Sequence, residues 1–266
     1  DHGSTDGSWE WLREHLPASN RIQGPNLGFG SGNNRGMEEA IRRGVPAVHL
    51  LNQDARVDPQ GMRVMTDWIL QREREGHALE VVSPIHWDWE GKVPYEHFDK
   101  RYAPQWREHT APFEVPFIHA ASWLMTLNTV RQVGGFNPAF FMYGEDNEWA
   151  HRLKKAGGRF WIHPEGSLFH DEKPKPWPKP TVLERMAFAA EVTAFFEGTS
   201  TASEWRRSAF RRVAARALHP HRWLDVLTGS MWLGERSAMR RVRENVEAWE
   251  AARNAMRHQE SPHLIP

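Results

Sequence analysis

Cysteine is absent from the 266 residues, which excludes disulfides and thiolate metal sites and leaves Asp, Glu, Asn and His as the available metal ligands. That absence suits a reducing compartment such as the cytoplasm. Net charge is also absent: 34 basic residues balance 34 acidic ones, so no overall positive field supports general binding to nucleic acid, which is not expected as a partner. No apolar stretch approaches the roughly 20 residues that a membrane-spanning helix needs. The first residues lack the charged-then-apolar layout of a signal peptide. There is no internal repeat, and no glycine segment has the spacing of a P-loop or of the dinucleotide fingerprint.

What is present is apolar enough for a core. A 39% hydrophobic content over this length supports one large α/β domain with an appendage. Residues 9–16 read as a short amphipathic helix stopped at Pro17, and residues 21–22 as a brief strand. The segment N-L-G-F-G-S-G-N-N-R-G over residues 26–36 reads as a glycine-rich loop before a helix over 37–43 that ends at Gly44. An apolar run over 45–51 predicts a buried strand, with Asn52 and Asp54 just past its C-terminal end, the position where ligands sit in open α/β sheets. A helix over 59–75 and a strand over 78–84 continue the alternation of a mostly parallel sheet flanked by helices. Residues 86–116 read as an insertion loop with hairpin strands, whose Trp87, Trp89 and Trp106 either stack on sugars or fill core. An apolar pattern returns over 117–127, and V-G-G-F marks a helix-to-turn transition before Phe136.

Three candidate positions stand out, each with an ordinary alternative. Asp54 either takes a hard cation through its carboxylate or starts a turn. His170, ending an apolar run, is either a ligand or structural. Glu145 and Asp146 open a helical pattern; acids there are stabilised by the helix dipole by about 0.3 to 1 kcal/mol, but the preceding Phe140, Phe141, Met142 and Tyr143 also suit a wall that raises a carboxyl pKa towards a useful base. The loop from Gly28 to Gly36 is either a phosphate cradle or a plain turn.

Taken in order, these segments resemble family 2 of the inverting glycosyltransferases, especially its rhamnosyltransferase-like and galactofuranosyltransferase-like members. D-H-G-S-T-D-G-S at the start looks like the family's D-N-x-S-x-D-G-S nucleotide loop, and the 26–36 segment looks like N-x-G-F-A-x-G-N-N-x-G. L-L-N-Q-D-A-R is similar to the metal-site strand end L-L-N-P-D-T, and V-G-G-F-N-P-A-F-F-M-Y-G-E-D-N-E-W-A-H-R to G-G-F-D-E-x-F-F-x-Y-x-E-D-x-D-x-x-x-R. The resemblance implies a GT-A fold, a UDP- or dTDP-sugar donor, a glycan or lipid-linked acceptor, and Mg2+ or Mn2+. It implies nucleotide contacts from Asp1, Asn26, Gly28, Asn34 and Asn52, metal ligation by Asp54 and His170, and a general base at Asp146 with Glu145 shaping the site. Arg152 is expected to brace the helix that carries them. Asn52 stands where many relatives have the first acid of Asp-x-Asp, which leaves one anionic ligand instead of two. The family's first strand and helix are expected upstream of Asp1, so the chain is expected to start inside the fold.

The expected organisation is a catalytic domain over residues 1–172, a proline-rich linker over 173–180 and a helical extension over 181–266. Between Ser203 and Arg243 the extension carries ten Arg against three acids, with Trp205, Phe210, Val213 and Ala217 spaced towards one apolar face. Either it packs on the catalytic domain with its arginines in solvent, or it lies on an anionic membrane at the inner face of the plasma membrane. A non-catalytic nucleotide-sugar- or carbohydrate-binding protein is the rival to an enzyme, and an NAD-dependent oxidoreductase fits less well because the glycine spacing is wrong.

Overall fold

In the computed structural model, the residues described are 1–96, 98–171, 187, 190–192, 201–218, 223, 227, 229–244, 247 and 250–251. The expected proline-rich linker at 173–180 lies outside them. The chain divides into two compact units. The first comprises residues 1–138, 146–174 and 261–266, and the second comprises 139–145 and 175–260.

The first unit is built on a six-stranded sheet: β1 (Ala47–Leu51), β2 (Ala55–Val57), β3 (Glu80–Asp88), β4 (Phe113–Val115), β5 (Ser122–Thr126) and β6 (Arg159–His170). Their order is β1-β5-β3-β6-β2, with β4 also paired to β6. The helix-flanked α/β architecture is as expected, but the sheet is mixed: among these pairs only β3 and β6 are parallel, and β5 runs antiparallel to both β1 and β3. Because β5 reverses direction between them, β1, β3 and β6 point the same way. Their C-terminal ends, together with the N-terminal end of β5, therefore meet at one edge, with Leu51 opposite Ser122 and Asp88 opposite His170.

The two faces follow from the two-residue period of a strand. Val81, Trp123, Met125, Phe160 and Ile162 enter the main core with Met37, Leu127, Val130 and Trp149, which come from the helices α2 (Phe29–Arg43), α4 (Leu127–Val133) and α5 (Glu145–Lys155). Val82 and Leu124 point the other way onto Met65 and Ile69 of α3 (Pro59–Arg74). Asp58 caps α3, accepting from the Gly61 amide at 2.6 Å, and Pro59 at the first helical position suits a helix start. Its second carboxylate oxygen accepts from Ser167 N at 2.9 Å, just after the bulge between Pro84 and Ile85 that lets the longer β6 keep register with β3.

Helix α1 (Ser8–His15) forms where the amphipathic pattern predicts. Two other local expectations are corrected. Residues 21–22 form no strand; Ile22 only accepts from the Asp1 amine at 2.8 Å. The glycine-rich segment is not a loop: α2 begins at Phe29, eight residues before the predicted start, after Gly28 at φ 93°, ψ 171°. Its weak helix formers are tolerated because tertiary contacts require them. A Cβ at Gly32 would overlap the His2 ring, so glycine lets the first residues lie against the helix.

In the second unit, α6 (Ala202–Ala217) and α7 (Ser230–Glu244) join through Trp205, Ala209, Ala238 and Val242, with Phe140 in the same cluster. Trp205 Nε1 and Arg212 both donate to buried Glu235, at 3.0 and 2.6 Å. Trp205 and Val213 lie on the buried face as predicted, but Phe210 does not: five residues place it about 140° round the helix from Trp205, and it is 65% exposed. No helix among the described residues is long and apolar enough to cross a membrane.

Candidate active site

The edge where β1, β3 and β6 end gathers Asn52, Asp54 and His170. Past β1 the chain turns at Asn52, whose carbonyl accepts from Ala55 N at 3.1 Å, and this turn delivers Asp54. At the end of β6, His170 Nε2 lies 3.2 Å from Asp54 Oδ1, although 116 residues separate them. β2 fixes that approach, because Ala55 pairs directly with His170, and Asp171 N donates to the Asp54 carbonyl at 2.8 Å. The two side chains are 22% and 12% exposed.

Asp146 stands at the start of α5. Its carboxylate accepts from the Asn147 amide at 2.8 Å and the Asn147 side chain at 3.0 Å, and from the backbone amide of Ala120. Burial pushes its pKa above the ordinary aspartate range, and the hydrogen bonds offset only part of that shift. The Ala120 contact ties the two halves of the site together, since Asn52 N donates to the carbonyl of Ala121 at 3.0 Å. One short segment before β5 thus bonds both to the turn that presents Asp54 and to the carboxylate of Asp146.

That segment also carries His119, which the sequence reading missed. Its ring packs edge-on to His86 at 5.1 Å between centroids and lies 5.9 Å from Tyr95, which in turn sits 5.3 Å from the His170 ring. The rings of His86, His119, Tyr95 and His170 form a continuous wall along the edge. His86 is fully buried and held neutral by burial and by its histidine neighbours. The signal for both missed histidines is a titratable residue at the end of an otherwise apolar run.

Two buried polar atoms here have no hydrogen-bond partner among the described residues, Asn52 Oδ1 and His170 Nδ1. Carboxylate, amide oxygen and imidazole are donors of the kinds a divalent cation accepts, and Asp54, Asn52 and His170 are the residues at this edge that could supply them. Among the described residues no three His, Asp or Glu side chains converge to hold an ion unaided.

The remaining predicted residues fall elsewhere. Asp1 Oδ1 accepts from the amides of Gly3 and Ser4 at 2.9 and 3.1 Å. Asp1 lines a cavity with His2, Arg21, Ile22, Gly32 and Arg35, and Arg35 Nη1 is buried there without a hydrogen-bond partner among the described residues. Arg35 is thus a third residue that the sequence analysis did not single out. Asn26 Oδ1 accepts from Gly28 N at 3.1 Å, shaping the turn into α2. Asn34 is engaged at both ends of its amide, donating to the Phe136 carbonyl at 2.8 Å and accepting from the Phe136 amide at 2.6 Å. Glu145 is buried at the first position of α5. The expected aromatic wall is also corrected, because Phe140 is buried in the second unit's core while Phe141, Met142 and Tyr143 are exposed. Arg152 braces α5 as expected: it forms a two-point pair with Glu148 at 2.9 Å and donates to the carbonyls of Val133 and Gly135. Trp87 and Trp106 pack on each other against the main core, which leaves Trp89 exposed beneath the guanidinium of Arg56.

No protein-family model matches the chain. It is 26% identical, over a 278-residue alignment covering 91% of this chain and 84% of the relative, to N-acetylglucosaminyl-diphospho-decaprenol L-rhamnosyltransferase of Mycobacterium tuberculosis, strain CDC 1551 / Oshkosh. The same protein of strain ATCC 25618 / H37Rv matches equally. Among solved structures, the crystal structure of GalNAc-T7 with UDP, GalNAc and Mn2+ aligns at 14% identity and a TM-score of 0.49. That alignment covers 74% of this chain and 43% of the other, so the chain spans less than half of it.

Proposed function

We infer that this chain, a rhamnosyltransferase-like glycosyltransferase with a helix-flanked α/β sheet, transfers a sugar from a nucleotide-diphosphate donor to a hydroxyl of a lipid-linked glycan, with inversion at the anomeric carbon. The observation that carries the reading is the carboxyl of Asp146, raised in pKa and bonded to Ala120, beside the Asp54 and His170 pair at one sheet edge. A carboxylate so placed accepts the proton of the acceptor hydroxyl as its oxygen bonds to the anomeric carbon. The bond to the diphosphate oxygen breaks on the opposite face, and its electron pair leaves with the nucleoside diphosphate. No covalent intermediate is needed.

Asp54 and His170 would hold Mg2+ or Mn2+, which when bound neutralises charge on the diphosphate. Asp1 and Arg35, lining one cavity, would contact the nucleoside, with Asn26 and Gly28 shaping the start of α2 and Asn52 next to the diphosphate. Glu145 shapes the start of α5. The chain is expected to act in cell-wall or surface-polysaccharide assembly at the cytoplasmic face of the membrane, where a lipid-linked acceptor is found.

Calorimetric titration with UDP and dTDP, with and without Mn2+, followed by turnover of the Asp146→Asn variant, tests this. Metal-dependent nucleotide binding that survives in Asp146→Asn while turnover is lost is the expected result. Binding without any turnover in the parent chain would instead favour the non-catalytic sugar-nucleotide-binding protein.

A further inference from the structure

The second unit presents a surface whose composition is unusual for an exposed one. α6 turns Arg207, Phe210, Arg211 and Ala214 outward, the i, i+3, i+4, i+7 spacing of a single helical face. α7 turns Trp232, Leu233, Arg236, Arg240 and Arg243 outward in the same way. Between them, Leu218, Trp223 and Leu227 are also exposed, the last at 81%. Six large apolar side chains in solvent within residues 210–233 are far more than an isolated surface hydrophobe, which by itself needs no explanation.

Within α6 and α7 the uncompensated charges are one-sided, with Glu247 and Glu250 exposed only beyond the end of α7. The acids of α6 and α7 are engaged: Glu235 is buried on Arg212 and Trp205, Glu244 pairs with Arg240 at 3.0 Å, and Glu204 caps the start of α6 through Thr201. Arg241 is paired with Glu191. Arg206, Arg207, Arg211, Arg236 and Arg243 have no acidic partner among the described residues. Exposed arginines without acids, alternating with Phe, Trp and Leu, complement a surface that is negatively charged and apolar just beneath. A nucleic acid would satisfy the arginines but leave the leucines in water.

We propose that the outward faces of α6 and α7 dock this chain on an anionic lipid bilayer, with the arginines at the headgroups and Phe210, Trp232 and Leu233 in the acyl boundary. This goes beyond the transfer reaction and does not depend on it. It predicts that docking is reversible, requires anionic lipid and weakens as salt rises.

The test is co-sedimentation of the full chain with vesicles of phosphatidylcholine alone and of phosphatidylcholine with phosphatidylglycerol. Three forms are compared: the parent, Arg207→Glu with Arg236→Glu, and Phe210→Ser with Trp232→Ser. All four substituted side chains are exposed, so the fold is retained, and circular dichroism verifies it. The parent should pellet only with anionic vesicles, and each double variant should bind about tenfold more weakly or less, while turnover on a water-soluble acceptor stays unchanged. Equal pelleting of the charge-reversed variant, equal binding to phosphatidylcholine alone, no pelleting at all, or tighter binding to a DNA duplex than to the vesicles would each overturn the proposal.

Discussion

His170 Nε2 and Asp54 Oδ1 lie 3.2 Å apart, joined across the pairing of β2 with the end of β6. Neither residue makes a site alone, and the strand register brings them together. If the pair holds the cation, Asp54→Asn and His170→Ala should each abolish the Mn2+-dependent part of nucleotide binding, leaving whatever weak binding occurs without metal. Titration of the two variants with UDP in the presence and absence of Mn2+ checks this, and unchanged metal dependence would remove both residues from the site. Losses of about 10- to 100-fold are the scale for disturbing a metal's supporting groups, so loss of a ligand should exceed that.

If Asp146 is the general base, the reaction carries a pH signature. A base works only when deprotonated, and burial raises the Asp146 pKa above the ordinary value of 3.8. Turnover should therefore fall as pH drops through that raised value, so the acidic limb of the kcat profile lies above the usual aspartate range. In Asp146→Glu the limb should move while some activity remains. A profile whose acidic limb is identical in parent and Asp146→Glu would assign the proton transfer elsewhere.

Asn34 clamps α2 to the turn at Phe136 through both ends of its amide. In Asn34→Ala the buried amide and carbonyl of Phe136 lose their partners, at a cost of about 1 to 3 kcal/mol for each group left unsatisfied. Urea unfolding should show this loss, while the affinity of the folded protein for UDP stays near that of the parent.

Asp54, Asp146 and His170 are legible in the sequence because each ends or follows an apolar run, and strand ends of that kind collect at one edge of an α/β sheet. His119 carries the same run-end signal, but it and Arg35 have partners that only tertiary structure brings close: His119 meets His86 through the reversal of β5, and Arg35 meets Asp1 through the contact of α2 with the first residues. The same limit explains the aromatic run at 140–143. Its composition suggests a single wall, yet Phe140 turns into one core and the next three side chains into solvent. The antiparallel insertion of β5 is likewise invisible to periodicity, since an inner strand reads as the same apolar run whichever way it points.

Glu191 couples the second unit to pH. Burial pushes its carboxyl up to about 7 from 4.5, against the opposing charge of Arg241. A group that holds its proton more tightly when folded stabilises the fold below its unfolded pKa and loses that contribution as pH rises through the folded one. Thermal unfolding should therefore show stability declining between pH 4.5 and about 7, and Glu191→Gln should flatten that decline. An unaltered slope in the variant would place the titration on another group, Asp146 being the other buried carboxyl raised in the same direction.

The order β1-β5-β3 also constrains how the chain can be made. Among the described strands β1 comes first in the chain, but its partner β5 begins only at Ser122, so about 70 residues of later sequence must follow before that pair can form. Until then the apolar edges of β1 and β3 have nothing between them, and they cannot pair with each other in place of β5 without losing the native order. The β1-β5-β3 part of the sheet thus closes in one late, non-local event, and nascent chains stalled before residue 122 should be the forms that chaperones hold and proteases cut.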